Sequence, residues 1–553
     1  MLLGLDVGGT HTDVVIVGKG GIVASSKVTT HHDDLLSSIN AAFENVLKDV
    51  AIEEIKRINL STTLSTNAIV EEKVDKVGVL VSAGPGIDSS NYAIGSNFHI
   101  IDGSIDHRGT EIQPLDRKQL AKVIDQCVSN GIRLFSGVTK FSTRNPAHEN
   151  LIKDQLDDRA DFVTVGHLLA GQLNYPRRIA TAYYNSAVWR LYNDFANAIE
   201  KSILGNGVKA RINILKADGG TMPLAVSRLF PVETILSGPA ASVMGIIALC
   251  DISEDSIILD IGGTTTDIAI FASGAPLIES EGISLTHHLT LVRALKTKSI
   301  GIGGDSVIRI TNGKVAVGPE RRGPAMADGG QEPTLVDALN FRTIDYGKRE
   351  ASISGIVELA RKHSIKPEQL AEESVTYAVR KIREEVEEIV REINEKPVYT
   401  VHEILEGKTI EPTKLYVMGG PAEALSDLLR QEFNREVVVP KNFSIANAIG
   451  AALTKTTIDV ELFADSEKRV LLIPNLNIEE EIPGSYTLED AKVDAQKHLS
   501  AFMERLGYDV SENTSEIIEA VSFNMVGGFM TSGRNIRVKC QIKPGISKDY
   551  PVR

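Results

Sequence analysis

The stretch GLDVGGTHTD (residues 4–13) is nearly repeated much further along the chain as DIGGTTTD (residues 260–267). Each copy begins within a short apolar run, LLGLDV or SIILDI, and a second apolar run, TDVVIVG or TDIAIFA, follows. Apolar runs of this length around a Gly pair predict two strand–turn–strand hairpins. Long-range repetition predicts two similar units, and ligands commonly bind where such units face each other.

The turns of these hairpins carry groups that bind phosphate and magnesium. Backbone N–H groups and hydroxyls donate to phosphate oxygens, and carboxylates hold Mg²⁺, usually through its waters. The predicted phosphate ligands are Gly8, Gly9, Thr10, Thr12, Gly262, Gly263, Thr264 and Thr265. Asp6 and Asp260 are the predicted metal ligands. For Asp13 and Asp267 two roles stay open: orienting water or metal, or accepting backbone hydrogen bonds inside the hairpin.

Composition excludes several classes of function. The 553 residues carry 59 Lys and Arg against 73 Asp and Glu, and the net charge of −14, without a basic cluster, argues against nucleic acid as a partner. Three isolated Cys residues indicate neither disulfides nor a zinc site and suit a reducing compartment. Without a signal-like start or an apolar run of about 18 residues, we expect a cytoplasmic protein that does not span a membrane.

The order of the motifs resembles the superfamily of actin, sugar kinases and heat-shock chaperones, whose two related α/β domains enclose ATP. GGPAEAL (419–425), after the strand KLYVMG, resembles the adenosine motif, which makes Gly419 and Gly420 nucleotide-side candidates. An ordinary strand-to-helix turn is the alternative reading. IANAIGAAL (445–453) resembles the helix that joins the domains near the hinge, with Gly450 permitting close helix packing.

Longer blocks resemble the hydantoinase A / 5-oxoprolinase family over most of residues 1–455. They are STTLSTNAIVEEKVDKVGVLVSAG (61–84), ADGGTMPLAVSRLFPVETILSGPAASVMG (217–245) and SIGIGGDSVIRI (299–310). The resemblance implies ATP and Mg²⁺, phosphorylation of a carbonyl oxygen, and opening of a cyclic amide or imide of hydantoin or 5-oxoproline type. It also implies a separate B-type subunit, because this chain is too short to include that half. A homo-oligomer is left open.

The same resemblance assigns further site residues. Gly301, Gly303 and Gly304 form a nucleotide-side turn, and the substrate-side candidates are Thr62, Thr63, Thr66, Asn67 and Asp305. The threonines also suit a helix N-terminus, and Asp305 also suits a cap. This chain departs from the family at Leu60-Ser61, where His-Gly is usual, at Asp305, where Gly is usual, and in the short stretch 322–332. These departures fall near the expected substrate side, so they bear on the identity of the substrate more than on the binding of ATP.

Alternating strands and helices predict an α/β fold. The resemblance implies that it consists of two actin-like ATPase domains around a nucleotide cleft, and we also expect a small insert and a C-terminal α+β extension. We expect domain I at 1–250 with an insert near 84–200, domain II at 251–456, and an accessory unit or interface at 457–553. One long helix is expected over 177–204, with its Tyr and Trp residues in the core, and another over 367–394.

Two other functions remain open. One is a subunit of an ATP-dependent ketone carboxylase, and the other is a nucleotide-driven chaperone that reactivates a partner enzyme. A sugar kinase fits the blocks at 217–245 and 299–310 less well. The candidate bases His11, His107, His167, His287 and His288 lack a metal-ligand spacing, and surface or capping roles are favoured for them. The general base and the substrate are not identified by the sequence.

Overall fold

The repeated hairpins lie in two six-stranded sheets of the computed structural model, which describes residues 1–31, 34–48, 50–395, 409–508, 514–527 and 530–552. The first sheet has the strand order Thr221–Pro223, Arg211–Leu215, Arg57–Thr62, Leu2–Val7, His11–Gly18 and Gly21–Thr29. The second has the order Ala275–Pro276, Thr266–Ala272, Ser256–Ile261, Lys414–Met418 and Glu436–Val438, and Thr297–Ile300 also pairs with Thr266–Ala272.

Both sheets are built to the same plan. In each, the first hairpin strand pairs antiparallel with the second and parallel with a later strand. The register is also the same, because Asp6 lies opposite Asp13 and Asp260 lies opposite Asp267. The chain therefore has the predicted α/β fold of two related actin-like units.

A separate four-stranded sheet lies between strands of the first unit in the sequence. Its strands are all parallel and run in the order Phe162–Val165, Leu134–Thr139, Val77–Ser82 and Asn97–Ile100. A strand pair, Ser104–Ile105 with Glu111–Gln113, and the helices Arg117–Ser129, Ala147–Gln155 and Gly166–Leu169 accompany it. The sheet begins at Val77, earlier than the insert expected near 84–200.

The single helix expected over 177–204 is wrong in detail, because two helices are present, Tyr175–Ala187 and Trp189–Gly205. The break at Val188 has a packing cause. The first helix buries its apolar face with the four-stranded sheet, and the second buries Tyr192 and Ile199 against the first six-stranded sheet. Trp189 stacks on Phe162 with ring centroids 4.8 Å apart, so the aromatic residues do belong to the core.

The remaining helices cover the faces of the two large sheets. In the first unit they are Leu35–Leu47, Leu64–Val70 and Leu224–Ser227. In the second they are Leu335–Arg342, Arg349–Lys362, Pro367–Asn394 and Ala422–Phe433, and the apolar residues of the long helix Pro367–Asn394 pack into the core around Leu259. Shorter strand pairs are Ile278–Glu279 with Ala294–Leu295, Ser284–Leu285 with His288–Leu289, and Ile308–Thr311 with Lys314–Val317.

Two helices, Ser237–Leu249 and Ala446–Leu453, cross between the large sheets. A Cβ atom on Gly450 would lie 2.2 Å from the carbonyl oxygen of Ala241, and one on Gly245 would lie 2.3 Å from that of Ala446. Real Cβ atoms do not approach backbone oxygens so closely, so the crossing requires glycine at both positions. This confirms the close helix packing predicted at Gly450.

The last part of the chain forms an antiparallel five-stranded sheet with one helix. The strand order is Ile478–Glu481, Val470–Ile473, Asp459–Asp465, Met530–Ile542 and Ser515–Gly527. Helix Leu488–Arg505 begins with a capping box between Thr487 and Asp490 and buries Leu499 and Met503 against the sheet. The predicted α+β region is confirmed. No helix among the described residues is long and apolar enough to cross a bilayer.

Candidate functional site

The turns of the two hairpins have the same geometry and touch each other. Gly8 N donates to the carbonyl oxygen of His11 at 3.0 Å, and Gly262 N donates to that of Thr265 at 2.9 Å. A Cβ atom on Gly263 would lie 2.7 Å from Thr10 Cγ2, so the second turn packs directly against the first. The structure therefore brings both predicted phosphate turns to one place.

The glycine turn after strand Thr297–Ile300 packs onto the second hairpin. Gly304 N donates to Gly262 O at 2.9 Å, and Asp305 N donates to Gly263 O at 2.6 Å. A Cβ atom on Gly303 would lie 2.6 Å from the carbonyl carbon of Gly263. Gly301 lies one turn away against Pro319. Two of the predicted nucleotide-side glycines, Gly303 and Gly304, thus pack on the hairpin turn and support its position.

Gly419 and Thr12 show how differently the predicted ligands are placed. Gly419 has a φ of +90°, and a Cβ atom there would lie 2.2 Å from Ile261 O, so this backbone lies directly against the hairpin strand. Thr12 is fully buried, and its hydroxyl is hydrogen-bonded to that of Thr30 at 3.0 Å. The structure therefore places Thr12 in the core beneath the turn, whereas Thr10, Thr264 and Thr265 are partly exposed.

Open space lies beside two of the glycines. A Cβ atom added at Gly9 or at Gly420 would meet no atom within 4 Å. Gly9 belongs to the first hairpin turn and Gly420 follows the strand Lys414–Met418 of the second sheet. A bound molecule can therefore approach the backbone of both units closely.

Asp6 and Asp260 are nearly buried, and neighbouring side chains hold them in place. The Ser61 hydroxyl donates to Asp6 Oδ1. Ser242 Oγ donates to Asp260 Oδ2 at 2.6 Å, and Asn447 Nδ2 donates to the same oxygen at 3.0 Å. Ser242 and Asn447 lie on the two crossing helices, so the position of this carboxylate depends on that crossing.

Four carboxylates share this site with few cations. Burial raises the pKa of Asp6 to about 7 and that of Asp267 to about 7, and the nearby charge of Asp260 adds to both shifts. Burial also raises the pKa of Asp13, although Lys27 Nζ, 2.8 Å from Asp13 Oδ2, opposes the rise. Concentrated negative charge of this kind favours a bound cation.

The donor set suits a cation that is only partly coordinated by protein. No group of three or more His, Cys, Asp or Glu side chains able to hold a metal is found in the parts of the chain that the structure describes. Asn447 Oδ1 is buried and has no hydrogen-bond partner among those residues. Two carboxylates and a free carbonyl oxygen fit Mg²⁺, which retains several waters and takes further ligands from substrate phosphates.

Asp305 lies on the side of the second hairpin. Its carboxylate is 3.2 Å from Arg321 Nη2 and accepts a hydrogen bond from Ala325 N at 3.3 Å. Burial raises the pKa of Asp305, and Arg321 opposes that rise. The residue predicted for the substrate side therefore contacts the phosphate turn of the second hairpin, through Gly263.

Among the candidate bases, His11 belongs to one of the two repeated hairpins, where it follows the turn. Burial, with the nearby charges of Lys27 and Arg321, lowers the pKa of His11 to about 4, which keeps its ring neutral. His167 is buried with Nδ1 2.7 Å from Glu149 Oε2, in the four-stranded sheet region. His107 and His287 are exposed, and His288 contacts Tyr184.

The segment Thr62–Asn67 runs from Asp6 toward the start of helix Ser237–Leu249. Thr62 N donates to Ser237 Oγ at 3.3 Å, and Leu236 N donates to Thr66 Oγ1 at 2.9 Å. Asn67 is exposed, and Thr63 is partly exposed beside Gly238. Thr62 and Thr66 therefore anchor the segment, while Thr63 and Asn67 are accessible.

A lateral cavity of about 130 Å³ is lined by Lys216, Asp218, Glu233 and Arg293. Thr234, which follows Glu233, is hydrogen-bonded to Ser65 of the segment Thr62–Asn67 at 3.2 Å. Lys216 follows the strand Arg211–Leu215, so it is at the same sheet edge as Asp6. The lining of the cavity also includes apolar side chains, among them Phe230, Leu291 and Phe502. Such a mixed lining is typical of sites for small organic molecules.

The sequence did not identify several of these residues. Lys27 lies directly opposite Asp13 in the strand pairing, and this cation could have been found by extending the hairpin to its third strand. Ser61 was recognised only as a departure from the family. Ser242 and Asn447 reach Asp260 through helix crossing, and no local pattern signals that contact.

Comparison with known proteins places the chain in a family. The model described as hydantoinase/oxoprolinase matches residues 178–460, and the model of the N-terminal region of the same family matches residues 2–159. The alpha subunit of caprolactamase from Pseudomonas jessenii is 27% identical over 402 residues, which are 66% of this chain and 57% of that protein. This chain thus spans little more than half the length of that relative.

Other relatives cover more of the chain. The gamma subunit of acetophenone carboxylase from Aromatoleum aromaticum is 23% identical over 85% of this chain and 70% of that protein. The solved structure of nucleotide-free acetone carboxylase superposes with a TM-score of 0.72 at 17% identity, covering 99% of this chain and 88% of that one. The caprolactamase structure gives 0.67 at 20% identity, covering 100% and 88%. These structures share the fold of this chain. The two family models show that the chain belongs to the hydantoinase/oxoprolinase family.

Proposed function

We propose that this chain is the ATP-using subunit of an enzyme that opens a cyclic amide or imide of hydantoin or 5-oxoproline type. One observation carries the proposal: two equivalent Asp–Gly–Gly–Thr hairpins, one from each unit, are in contact at Thr10 and Gly263. Family membership and the name of the P. jessenii relative, an ATP-dependent caprolactamase, support it.

The residues of the site fit Mg-ATP. The backbone N–H groups of residues 8–10 and 262–264 would bind the phosphates, and Gly9 and Gly420 leave room for close approach. Asp6, Asp260 and the free Asn447 Oδ1 would hold Mg²⁺ or its waters. When bound, Mg-ATP supplies the phosphoryl group and the positive charge that balances it.

Phosphorylation of the carbonyl oxygen would activate an amide toward attack by water. An amide carbonyl is a poor electrophile, whereas an O-phosphorylated one carries a phosphate leaving group and admits water. Asp267 is suited to accept a proton from that water, because its pKa of about 7 lets it bind and release protons near neutrality. Asp13, held by Lys27, is suited to orienting the water or the metal.

The organic substrate would bind beside the segment Thr62–Asn67. Thr63 and Asn67 are accessible there, and the lateral cavity lies on the same sheet edge. Glu233 faces this cavity, and burial raises its pKa to about 7. We also propose a second subunit, since the relatives named above are themselves subunits.

The test uses a lactam or hydantoin labelled with ¹⁸O in the carbonyl, Mg-ATP, and the full chain with any subunit that copurifies. We expect ring opening to depend on ATP and one ¹⁸O atom to appear in inorganic phosphate per ring opened. Unlabelled phosphate at full ring-opening activity would contradict phosphorylation of the carbonyl oxygen.

A second candidate is a subunit of an ATP-dependent ketone carboxylase. It is favoured by the acetophenone carboxylase gamma subunit, which matches 85% of this chain, against 66% for the caprolactamase alpha subunit. Phosphate release that responds to a ketone plus bicarbonate, and not to lactams or hydantoins, would support this candidate against the first.

A further inference from the structure

A basic cavity of about 790 Å³ lies at the other edge of the first sheet from the hairpins. Leu2, Arg57 and Arg211, which line it, stand at the N-terminal ends of three neighbouring strands, whereas the hairpin turn follows the C-terminal end of Leu2–Val7. A six-residue strand is about 20 Å long, so the basic cavity and the nucleotide site are separate.

The lining of this cavity is strongly positive. Its cations are Lys56, Arg57, Lys209, Arg211, Lys455 and Lys548, and its acids are Glu53 and Asp549. This excess stands out in a chain whose net charge is −14. Like charges that converge on one cavity repel each other, and an anionic ligand removes that cost.

Five of these six cations are not neutralised by protein carboxylates in the part of the chain that the structure describes. Within the described parts of the chain, Lys56, Lys209, Arg211, Lys455 and Lys548 take part in no salt bridge. Lys298, on the second sheet, shows the contrast, because it lies within 2.9 Å of both Glu385 and Glu388. The charges of these five side chains are thus available to a ligand.

The volume of the basic cavity and the side chains in its wall indicate the class of ligand. Small-molecule sites commonly measure about 300–1,000 Å³, a range that includes this cavity. Tyr508 is fixed in the wall by a 2.6 Å hydrogen bond from its hydroxyl to Asn213 Oδ1, and the Arg211 guanidinium lies 5.5 Å from its ring centroid. Arg and Lys side chains converging around a fixed aromatic ring suit phosphate groups on a small molecule.

We propose that the basic cavity binds a small phosphate-bearing polyanion at a site distinct from the nucleotide site. The ligand would join segments that are far apart in sequence. Lys455 N donates to Gly545 O at 2.9 Å, and Ser547 N donates to Leu453 O at 2.7 Å, so the wall is continuous with the crossing helix Ala446–Leu453. Binding therefore stabilises the contact between this helix and residues 545–550.

The test is calorimetric titration of the full chain with inorganic tripolyphosphate, in a Gly263→Val background that disables the hairpin site. We expect one site, weakened about tenfold or more by Lys209→Gln with Arg211→Gln, and also by the exposed pair Lys56→Gln with Lys548→Gln. The matched control, Lys118→Gln with Lys122→Gln on the exposed face of helix Arg117–Ser129, leaves affinity unchanged.

Three results would overturn the proposal: no binding in the Gly263→Val background, equal weakening by the control pair, or citrate binding as tightly as tripolyphosphate. Because the hairpin site is disabled throughout, none of these results depends on whether the proposed amide-opening activity is correct.

Discussion

Gly263 packs against Thr10 so closely that a Cβ atom on the glycine would lie 2.7 Å from Thr10 Cγ2 and 3.0 Å from Thr10 Oγ1. The two residues belong to different copies of the repeated phrase and to different sheets. The two copies of the phrase therefore form the two halves of one site. A substitution in either copy should affect binding of the nucleotide at the whole site.

Gly263→Ala should raise the KM for ATP about tenfold or more, because the added methyl displaces Thr10 and Asp305 from the turn. Steady-state phosphate release across ATP concentrations measures this. Gly20→Ala is the matched control, since a Cβ atom there meets no atom within 4 Å. An unchanged KM for Gly263→Ala would show that the contact does not shape the nucleotide site.

Asp260→Asn should lower substrate-stimulated phosphate release about 100-fold, because it removes the charge proposed to hold Mg²⁺ while keeping the shape of the side chain. The exposed Asp194→Asn on helix Trp189–Gly205 is the control and should leave the rate unchanged. Full activity in Asp260→Asn would remove this aspartate from the proposed mechanism.

Gly450→Ala should lower the free energy of unfolding by about 1–3 kcal/mol, because its methyl would lie 2.2 Å from Ala241 O and 2.4 Å from Gly245 N. Urea unfolding followed by circular dichroism measures the change. Gly205→Ala meets no atom within 4 Å and should be neutral or slightly stabilising. Equal stability of the two variants would contradict the tight helix crossing.

Asp267→Asn should stabilise the metal-free protein more at pH 8 than at pH 4. Burial and the charge of Asp260 raise the pKa of Asp267 from 3.8 to about 7, so between these values the folded state binds a proton that the unfolded state has lost. Stability from this group is therefore fully present below pH 3.8 and falls as the pH rises toward 7.

The check is urea unfolding of Asp267→Asn and wild type at both pH values, with EDTA present and Asp194→Asn as reference. A stability difference that is the same at pH 4 and pH 8 would mean that the carboxylate is not held in the folded state as described.

Residues that act locally were predictable from the sequence, and those that act through tertiary contacts were not. Glycine pairs between apolar runs specified both hairpins, since few residues other than glycine suit such turns. The break at Val188 was missed because one apolar periodicity continues across it, although the two helices pack on different sheets. Thr12 is buried because the strand His11–Gly18 is covered on both faces, so that its polar residues are buried together with its apolar ones.

The residues of the candidate site also divide into those that a local motif identifies and those that only a tertiary contact identifies. Asp6, Asp260 and the glycines lie in recognisable motifs. Asn447, in contrast, is 187 residues away from Asp260 in the sequence and contacts it only in the folded chain. Asp305 could be assigned to a motif but not to a neighbour, because its contact with Gly263 requires the glycine turn to fold back over the hairpin. The basic cavity collects cations from four separate stretches, and no single one of these appears basic in the sequence.

The central claim is that two hairpins form one nucleotide site, and the most direct test counts Mg²⁺-dependent sites for a non-hydrolysable ATP analogue by calorimetry. Gly9→Val places a side chain in open space, since no atom lies within 4 Å of an added Cβ. Gly262→Val places one 3.3 Å from Thr265 O, so the second turn must shift slightly to accept it. The account predicts one site per chain in the wild type and loss of that site in either variant. Retention of a full-affinity Mg²⁺-dependent site in both single variants would contradict it.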